Sequence, residues 1–396
     1  MINLNPVAIL TLLYLSINFL SMLIGCSSGE IQVETSIFRV SEESLIYSFL
    51  LQAICLIFLY YIYKYFTNRI SYPPLTFKAK WGRALLIIQI AFIIFNTQMG
   101  VNTAGSVERI EGQSLSNYLF IILQPDILVA VISVCLNSGF LFWTNILVYL
   151  LSMFLRGWMG GTFVILFLIL SRYQNLRISL KTFLVSLCSL LLLFSILPAL
   201  IEAKWAMRTG ISLSVFISNM SSYVTPENYY AGINYLLNRF QHVGHLALIY
   251  ENADDLFKKY NAGYFSSYYM DGMPQYFLVK MYNLDMYKLS FYLVQYFFDI
   301  TEPTWNINTG VVGWLYILRY ESILFAFYIM LLLLIPYYVV SRFAGKRMLS
   351  VLACFSIIYL FHGWLGAYVN LAFYACIISL LANIRLYRTV YIPCEK

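Results

Sequence analysis

The sequence predicts an all-α polytopic membrane protein with about 10 transmembrane helices and one large loop region that contains amphipathic helices. Three observations lead to this prediction. The 396 residues are 61% hydrophobic and only 11% charged, which is too few charges to cover the surface of a soluble protein. Apolar runs of about 20 residues, the length that crosses the hydrocarbon core of a bilayer, recur along the chain. The basic residues cluster at the ends of these runs.

Taken in order, the apolar runs divide the chain into three predicted regions of a single membrane domain. Residues 1–201 hold seven spans, residues 202–310 form the hydrophilic loop region with the candidate site, and residues 311–396 hold three more spans. The eighth span is long enough to be tilted or to begin outside the bilayer. The spans are residues 6–24, 44–63, 84–99, 117–136, 140–155, 160–171, 182–201, 314–340, 348–365 and 367–384.

More than half of the 25 Lys and Arg residues follow spans 2, 6, 8 and 10 and predict the orientation. By the positive-inside rule these segments are cytoplasmic, so both termini lie inside and residues 202–310 lie outside. The net charge of +7 then reflects topology, and we expect no nucleic-acid partner. The basic residues concerned are Lys64, Arg69, Lys78, Lys80, Arg83, Arg172, Arg177, Lys181, Arg342, Lys346, Arg347, Arg385, Arg388 and Lys396.

The densest group of side chains able to transfer protons and bind anions lies between Tyr229 and Glu251. Read as one helix, this stretch has an apolar half and a polar half, and the polar half carries Arg239, His242 and His245. The chain has only three histidines, and two of them are here. An amphipathic helix with a polar face is also typical of an ordinary solvated or interfacial helix, so this alternative stays open.

Two further charged residues stand out within the predicted spans. Arg156 lies in a tight external hairpin with Gly157 between spans 5 and 6, where a guanidinium could donate two hydrogen bonds to a phosphate or could simply anchor a helix end. Asp126 is an acid at mid-membrane depth, and such a residue is a functional candidate. Because Pro125 breaks the helix there, a structural polar patch is the alternative.

Aromatic and glycine residues are frequent in the rest of the external region. Aromatic rings stack on sugar rings, although tyrosine is also ordinary at a membrane interface. Gly310 and Gly313 allow close approach either of a ligand or of a second helix. The candidate sugar contacts are Tyr264, Tyr268, Tyr269 and Trp305.

Several kinds of catalytic site are not indicated by the sequence. It has no carboxylate pair spaced as in glycosidases, no GxSxG motif, and no cytoplasmic DxD for a nucleotide sugar with its metal. The seven cysteines predict neither a disulfide framework nor a metal site. The external face instead offers arginines for an anion, histidines for proton transfer and aromatic rings for carbohydrate. These features match a substrate made of a lipid, a diphosphate and a sugar.

Three sequence blocks in the external region, together with the span pattern and the hairpin at Arg156 and Gly157, carry a resemblance to a known family. The blocks are NRFQHVGHLALIYE (238–251), GYFSSYYMDGMPQYF (263–277) and EPTWNINTGVVGWLYI (302–317). In this order they resemble the Wzy-type O-antigen polymerases of the bacterial inner membrane. The resemblance is specific only over about residues 230–317, and the rest of it is topology.

The resemblance implies an enzyme that joins O-antigen repeat units carried on undecaprenyl diphosphate, on the periplasmic side of the inner membrane. Arg239 and Arg156 would bind the diphosphate, and His242 or His245 would activate the acceptor hydroxyl. Guanidinium groups would neutralise the leaving group, so no metal and no cofactor is expected. The implied partners are the lipid-linked oligosaccharide, the lipid bilayer and a co-polymerase that regulates chain length.

The chain departs from the family pattern at Gln275, which follows Pro274 where relatives often have a basic residue. Either Lys280 or Arg208 takes that part in diphosphate binding, or it is not needed. Two matching RX15G loops are also absent from the sequence, so no arginine roles are transferred from them. The alternatives are an O-antigen ligase or another polyprenyl-donor glycosyltransferase, an exporter of lipid-linked sugars, and, as an improbable third, a polymer-length regulator.

Overall fold

A computed structural model of the chain describes most of its residues. The described residues are 5–34, 36–70, 74–102, 115–158, 160–174, 188, 195, 197–199, 201–202, 218, 220–282, 284, 286–301, 305–307 and 309–390. Within these ranges the chain is predominantly helical, as the sequence predicts. Arg208 and most of the predicted span 182–201 lie outside them.

Long apolar helices and one short hairpin make up the first part of the chain. Ser41 accepts a hydrogen bond from the backbone of Ser44 and thereby caps the second helix. The elements are α1 (Pro6–Ser28), β1 (Glu30–Val33), β2 (Ser36–Arg39), α2 (Glu42–Thr67), α3 (Ala79–Met99), α4 (Leu115–Leu123), α5 (Pro125–Ser133), α6 (Gly139–Leu155) and α7 (Gly160–Arg172).

Shorter helices follow, and three long ones end the described chain. The elements are α8 (Pro226–Phe240), α9 (Val243–Glu251), α10 (Ala253–Asn261), α11 (Met273–Met281), α12 (Leu289–Phe298), α13 (Gly310–Leu318), α14 (Ser322–Phe343), α15 (Lys346–His362) and α16 (Leu365–Val390).

In the described ranges, six helical segments are long and apolar enough to cross a membrane. Only 28% of the apolar window of α1 is buried within the protein, and large side chains such as Ile87 and Phe140 are exposed. Apolar helices that turn most of their surface outward require an apolar solvent, so the chain is a helical membrane protein. The segments are Pro6–Ser28, Glu42–Thr67, Ala79–Met99, Ser116–Ser133, Gly310–Phe343 and Leu365–Asn383.

Three interruptions of the helices bear on the sequence predictions. The break at Pro125 is confirmed, with Gln124 in the left-handed region at φ 45°. The predicted eighth span lies within the apolar segment Gly310–Phe343, and a 3-10 turn at Arg319–Glu321, where Arg319 has φ 52°, interrupts it between α13 and α14. The single helix over residues 229–251 is wrong, because α8 ends at Phe240 and α9 begins at Val243.

The chain forms two compact units, and the boundary falls inside the region 202–310. The first unit comprises residues 1–5 and 78–240, and the second comprises residues 6–77 and 241–396. In the first unit α3 packs on α6 through buried amides, with the side chain of Gln89 donating to Asn145 over 2.7 Å. Asn145 also donates to the carbonyl of Gly82, so the polar groups between these apolar helices are hydrogen-bonded.

In the second unit the short helix α9 is buried among α1, α2, α13 and the β-hairpin. The two strands pair antiparallel, with Glu30 opposite Arg39 and Val33 opposite Ser36. The sequence analysis did not predict this hairpin. At Gly313 the absence of a side chain allows two helices to pack closely, which is one of the two alternatives that the sequence leaves open. An added Cβ would lie 3.2 Å from Ile249 of α9.

Candidate functional site

The N-terminus of α9 is capped by side chains from other parts of the sequence. The first backbone N–H groups of a helix have no partner within it, and burial makes an unmet donor costly. Oδ1 of Asn18 in α1 accepts from the backbone N–H of His242 at 2.7 Å and of Val243 at 3.2 Å. Oε1 of Gln241 accepts from Gly244. This capping gives α9 a start of its own, which explains why it does not continue α8.

All three histidines of the chain meet beside this capped end. The ring centroid of His242 lies 4.4 Å from that of His362 and 5.9 Å from that of His245. Nε2 of His362 is 2.8 Å from the hydroxyl of Tyr14. His242 and His245 are each 1% exposed, so the prediction that they lie on the open polar face of an amphipathic helix is wrong. In the part of the chain that the structure covers, no group of His, Cys, Asp and Glu side chains is arranged to hold a metal ion.

His245 faces a carboxylate from the β-hairpin. Its Nε2 atom lies 3.5 Å from Oε1 of Glu34, and the side chain of Glu34 is only 16% exposed. Both Nδ1 and Nε2 of His245 are buried and have no hydrogen-bond partner among the described residues, so the contact between Nε2 and Glu34 is electrostatic. A carboxylate near one imidazole nitrogen, with no partner on the second nitrogen, is a pairing that occurs in general acid–base catalysis.

An apolar groove with a volume of about 150 Å³ lies among α2, α9, α13, α14 and α15. Its lining includes Leu246 and Phe361, which directly follow His245 and directly precede His362 in the sequence. Gln52 and Cys55 are the only lining residues that are not apolar, apart from the glycine backbone. The residues Tyr14, Glu34, His242, His245 and His362 together form what we call the histidine cluster. Both this cluster and the groove belong to the second unit.

The predicted anion-binding residues have different surroundings. Arg239 is exposed near the end of α8, with its guanidinium 5.1 Å above the ring of Tyr235, and belongs to the first unit. Lys280 is exposed at the end of α11, 5.9 Å above the ring of Tyr276. Arg208 lies outside the described residues.

Arg156 occupies the predicted hairpin between α6 and α7, but its guanidinium is not open to the surface. The residue is 4% exposed and donates two hydrogen bonds to Asp126, at 3.0 and 2.8 Å. Nε donates to the carbonyl of Ser152, and the group also lies 5.0 Å from the ring of Phe92. The expectation that this guanidinium is open to a phosphate is therefore wrong, because both of its bidentate donors are bonded to a carboxylate. Asp126 has the structural pairing that the sequence left as one of two alternatives.

The predicted sugar contacts fall into two groups. Tyr264 and Tyr269 are exposed by 54% and 53%. Tyr268 instead packs against Trp314, Phe325 and Tyr328, and burial raises its pKa. Trp305 packs edge-on against Phe298. Tyr264 and Tyr269 are thus the exposed members, although Nζ of Lys259 lies 4.7 Å from the ring centroid of Tyr264 and Tyr269 packs edge-on against Tyr268.

Sequence reasoning missed Tyr14, Asn18, Glu34 and His362. Asn18 carried a usable signal, because an amide within an apolar span needs a partner and is a functional candidate. Tyr14 lies four residues earlier and therefore on the same helix face. His362 carried the same kind of signal, because it is an ionisable residue within the predicted span 348–365. Glu34 gave no such signal, because 211 residues separate it from His245 in the sequence.

Comparison with known proteins yields no relative. No protein-family model matches the chain, and neither a curated protein nor a solved structure is significantly similar to it. The resemblance to the Wzy-type polymerases therefore rests on the three sequence blocks and the span pattern.

Proposed function

We propose that this chain is an O-antigen polymerase of the bacterial inner membrane, which joins repeat units carried on undecaprenyl diphosphate. In this proposal the chain has about 10 spans of membrane-crossing length. Both termini are cytoplasmic, and the hydrophilic region 202–310 lies in the periplasm, as the distribution of basic residues predicts. The resemblance of the three sequence blocks and the membrane character of the helices support this assignment.

The single observation that carries the proposal is the histidine cluster. Glycosyl transfer to a sugar hydroxyl needs a base, because the hydroxyl proton must leave as the new bond forms. His245 combines a nearby carboxylate with an available Nδ1 atom, whereas His242 is packed between Phe361 and His362. We therefore assign the base to His245 rather than to His242, a choice that the sequence alone leaves open.

The apolar groove supports a lipid-linked substrate. Its volume of about 150 Å³ is smaller than the about 300–1,000 Å³ that is common for sites of whole ligands, so it has room for only a part of a lipid chain. Its apolar lining suits part of an isoprenoid chain, and Leu246 and Phe361 adjoin the histidines in sequence. In the proposal, the isoprenoid lies in the groove and the diphosphate lies close to the cluster.

The proposed reaction moves the growing chain without a metal or a cofactor. The bond between the anomeric carbon and the diphosphate oxygen breaks, and the diphosphate leaves with the electron pair. The acceptor hydroxyl oxygen forms the new bond to that carbon and gives its proton to His245. Arg239 is proposed as the cation for the leaving group because the resemblance implies this role for it. Arg156 is not proposed for this role, because its guanidinium is paired with Asp126. A co-polymerase that regulates chain length is a proposed partner.

Deletion of the gene in the host bacterium separates the candidate functions. Loss of a polymerase leaves single repeat units on lipid A, and loss of a ligase leaves polymer on the carrier lipid. Loss of an exporter leaves no repeat units on the cell surface. The deletion strain is then complemented with Arg239→Ala or His245→Ala, each checked for a normal protein level. We expect the single-unit pattern from both variants. Tyr230→Ala, on the exposed surface of α8, is the matched control and should restore polymer.

A further inference from the structure

We propose that Glu34 in the first β-hairpin is the positioning residue that orients His245 and stabilises its protonated form during glycosyl transfer. This inference rests on the proposed polymerase function and deepens it. It gives a role to a loop between α1 and α2 that is distant in sequence from the three blocks of the resemblance.

The backbone at Glu34 is in a conformation that glutamate rarely adopts. Val33 pairs with Ser36, so the connection between the strands is two residues long, and Glu34 has φ 52°. Two-residue hairpins of this kind favour Asn or Gly, because side chains other than these are strained at positive φ. Glutamate is unfavourable for the turn at such a position. This strain suggests that its side chain has a function that offsets the cost.

The hairpin is held against α9 at three points, which together place Glu34 at His245. Gln241 donates to the carbonyl of Gln32 over 3.0 Å. Gly244 permits close contact, because an added Cβ would lie 2.9 Å from Cγ2 of Val33. At the far end of α9, Glu251 accepts from the backbone N–H of Ser41 at 2.7 Å. Two of these contacts directly precede Glu34 and the third follows β2, so the backbone on both sides of Glu34 is held against α9.

The carboxylate has a specific consequence for the imidazole. A proton on Nε2 faces Oε1 of Glu34 across 3.5 Å, and Nδ1 is then the unprotonated nitrogen. As the acceptor oxygen bonds to the anomeric carbon and the diphosphate leaves with its electron pair, the hydroxyl proton passes to Nδ1. The resulting imidazolium is stabilised by the negative charge of Glu34. His242 is the next titratable group, with Tyr14 and His362 beyond it.

Two variants separate this role from a structural one. Glu34→Gln removes the charge but keeps the shape, whereas Glu34→Gly also relieves the backbone strain at φ 52°. We expect both to lower kcat by about 10- to 100-fold or more, as loss of an orienting partner does. The KM for the undecaprenyl-diphosphate-linked repeat unit should stay unchanged, and the unfolding temperature of Glu34→Gly should be equal to or higher than that of wild type. A merely structural role predicts that activity and stability fall together.

The assay uses the purified full-length protein in lipid vesicles with the host's own lipid-linked repeat unit. Lower kcat in both variants with retained stability supports the role of Glu34. Turnover within twofold of wild type in Glu34→Gln, or a parallel loss of stability in Glu34→Gly, overturns it while the polymerase function stands. Failure of the wild-type protein to join units removes the proposed function and this role with it.

Discussion

Arg156 and Asp126 form a bidentate ion pair that joins the end of α6 to the start of α5. Asp126 lies in the first turn of α5, where a negative charge is favourable for the helix dipole. At the other end of α5, Arg172 donates to the carbonyls of Ser133, Val134 and Leu136. The helix α5 is therefore held at its start by an ion pair with Arg156 and at its end by Arg172, which satisfies carbonyls at and after its last turn.

Removing one partner of this pair should destabilise the protein. Arg156→Ala leaves a carboxylate without its counter-ion, which costs about 3–5 kcal/mol for a fully buried pair. The cost here should be somewhat smaller, because the Asp126 side chain is 31% exposed. Thermal unfolding in detergent measures it. Arg39→Ala is the control, because it removes an ion pair at the surface. The side chains of Arg39 and Glu30 are 88% and 44% exposed, so the loss should be less than about 1 kcal/mol.

The double variant Arg156→Leu with Asp126→Leu decides between the structural and the phosphate-binding interpretation of Arg156. Replacing both members of a buried pair by apolar residues is often neutral or stabilising. If the arginine only pairs with Asp126, the double variant should still make long polymer in complemented cells. Loss of polymer in a stable double variant would restore Arg156 as a diphosphate contact.

Asn18 should contribute to stability through the cap that it provides to α9. In Asn18→Leu the backbone N–H groups of His242 and Val243 lose their acceptor in a buried setting, which costs about 1–3 kcal/mol. The unfolding temperature should fall accordingly. Thr144→Val is the matched control, since its exposed hydroxyl donates only within its own helix. Equal melting of the two variants would argue against the capping role.

Gly244 should be intolerant of a side chain because the β-hairpin lies directly against it. In Gly244→Ala the new Cβ meets Val33 and Ile31, and such overpacking costs about 1–3 kcal/mol. The variant should also lose polymerisation by displacing Glu34 from His245. Gly139→Ala has nothing within 4 Å of the added Cβ and should melt at the wild-type temperature or above. If the two alanine variants behave alike, the hairpin is not held as described.

The tyrosine-rich segment should separate into packing and contact residues. Tyr268→Ala removes the ring that packs on Trp314, Phe325 and Tyr328, so the free energy of unfolding should fall. Truncating a fully buried aromatic residue costs about 3–5 kcal/mol, and the loss here should be smaller because Tyr268 is only half-buried. Tyr264→Ala and Tyr269→Ala remove exposed rings and should leave the unfolding temperature unchanged while shortening the polymer. Wild-type chain length from both exposed variants would exclude these tyrosines as sugar contacts.

The six helical segments of membrane-crossing length in the described ranges correspond to six of the ten predicted spans, because hydropathy and helix breakers act locally. The break at Pro125 is such a case, since proline removes a backbone donor. The break between Phe240 and Val243 could not be predicted in this way, because the apolar periodicity runs through it. It depends on Asn18, more than 200 residues away in sequence.

The candidate site could be predicted only in its local part. His242 and His245 were found because they lie three residues apart, whereas His362, Tyr14 and Glu34 reach them only through tertiary packing. Asp126 was singled out as an acid within an apolar span, and Arg156 was singled out in the hairpin between two spans. Their pairing was not foreseen, since 30 residues separate them and sequence spacing does not report contacts between helices.

The most direct measurement is the joining of repeat units by the purified protein in lipid vesicles that contain only undecaprenyl-diphosphate-linked repeat units from the host. The wild-type chain should produce lipid-linked products of two and more units and release free undecaprenyl diphosphate, and His245→Ala should do neither at measurable rate. A wild-type protein that forms no longer product, or a His245→Ala variant that matches wild type, would contradict the account.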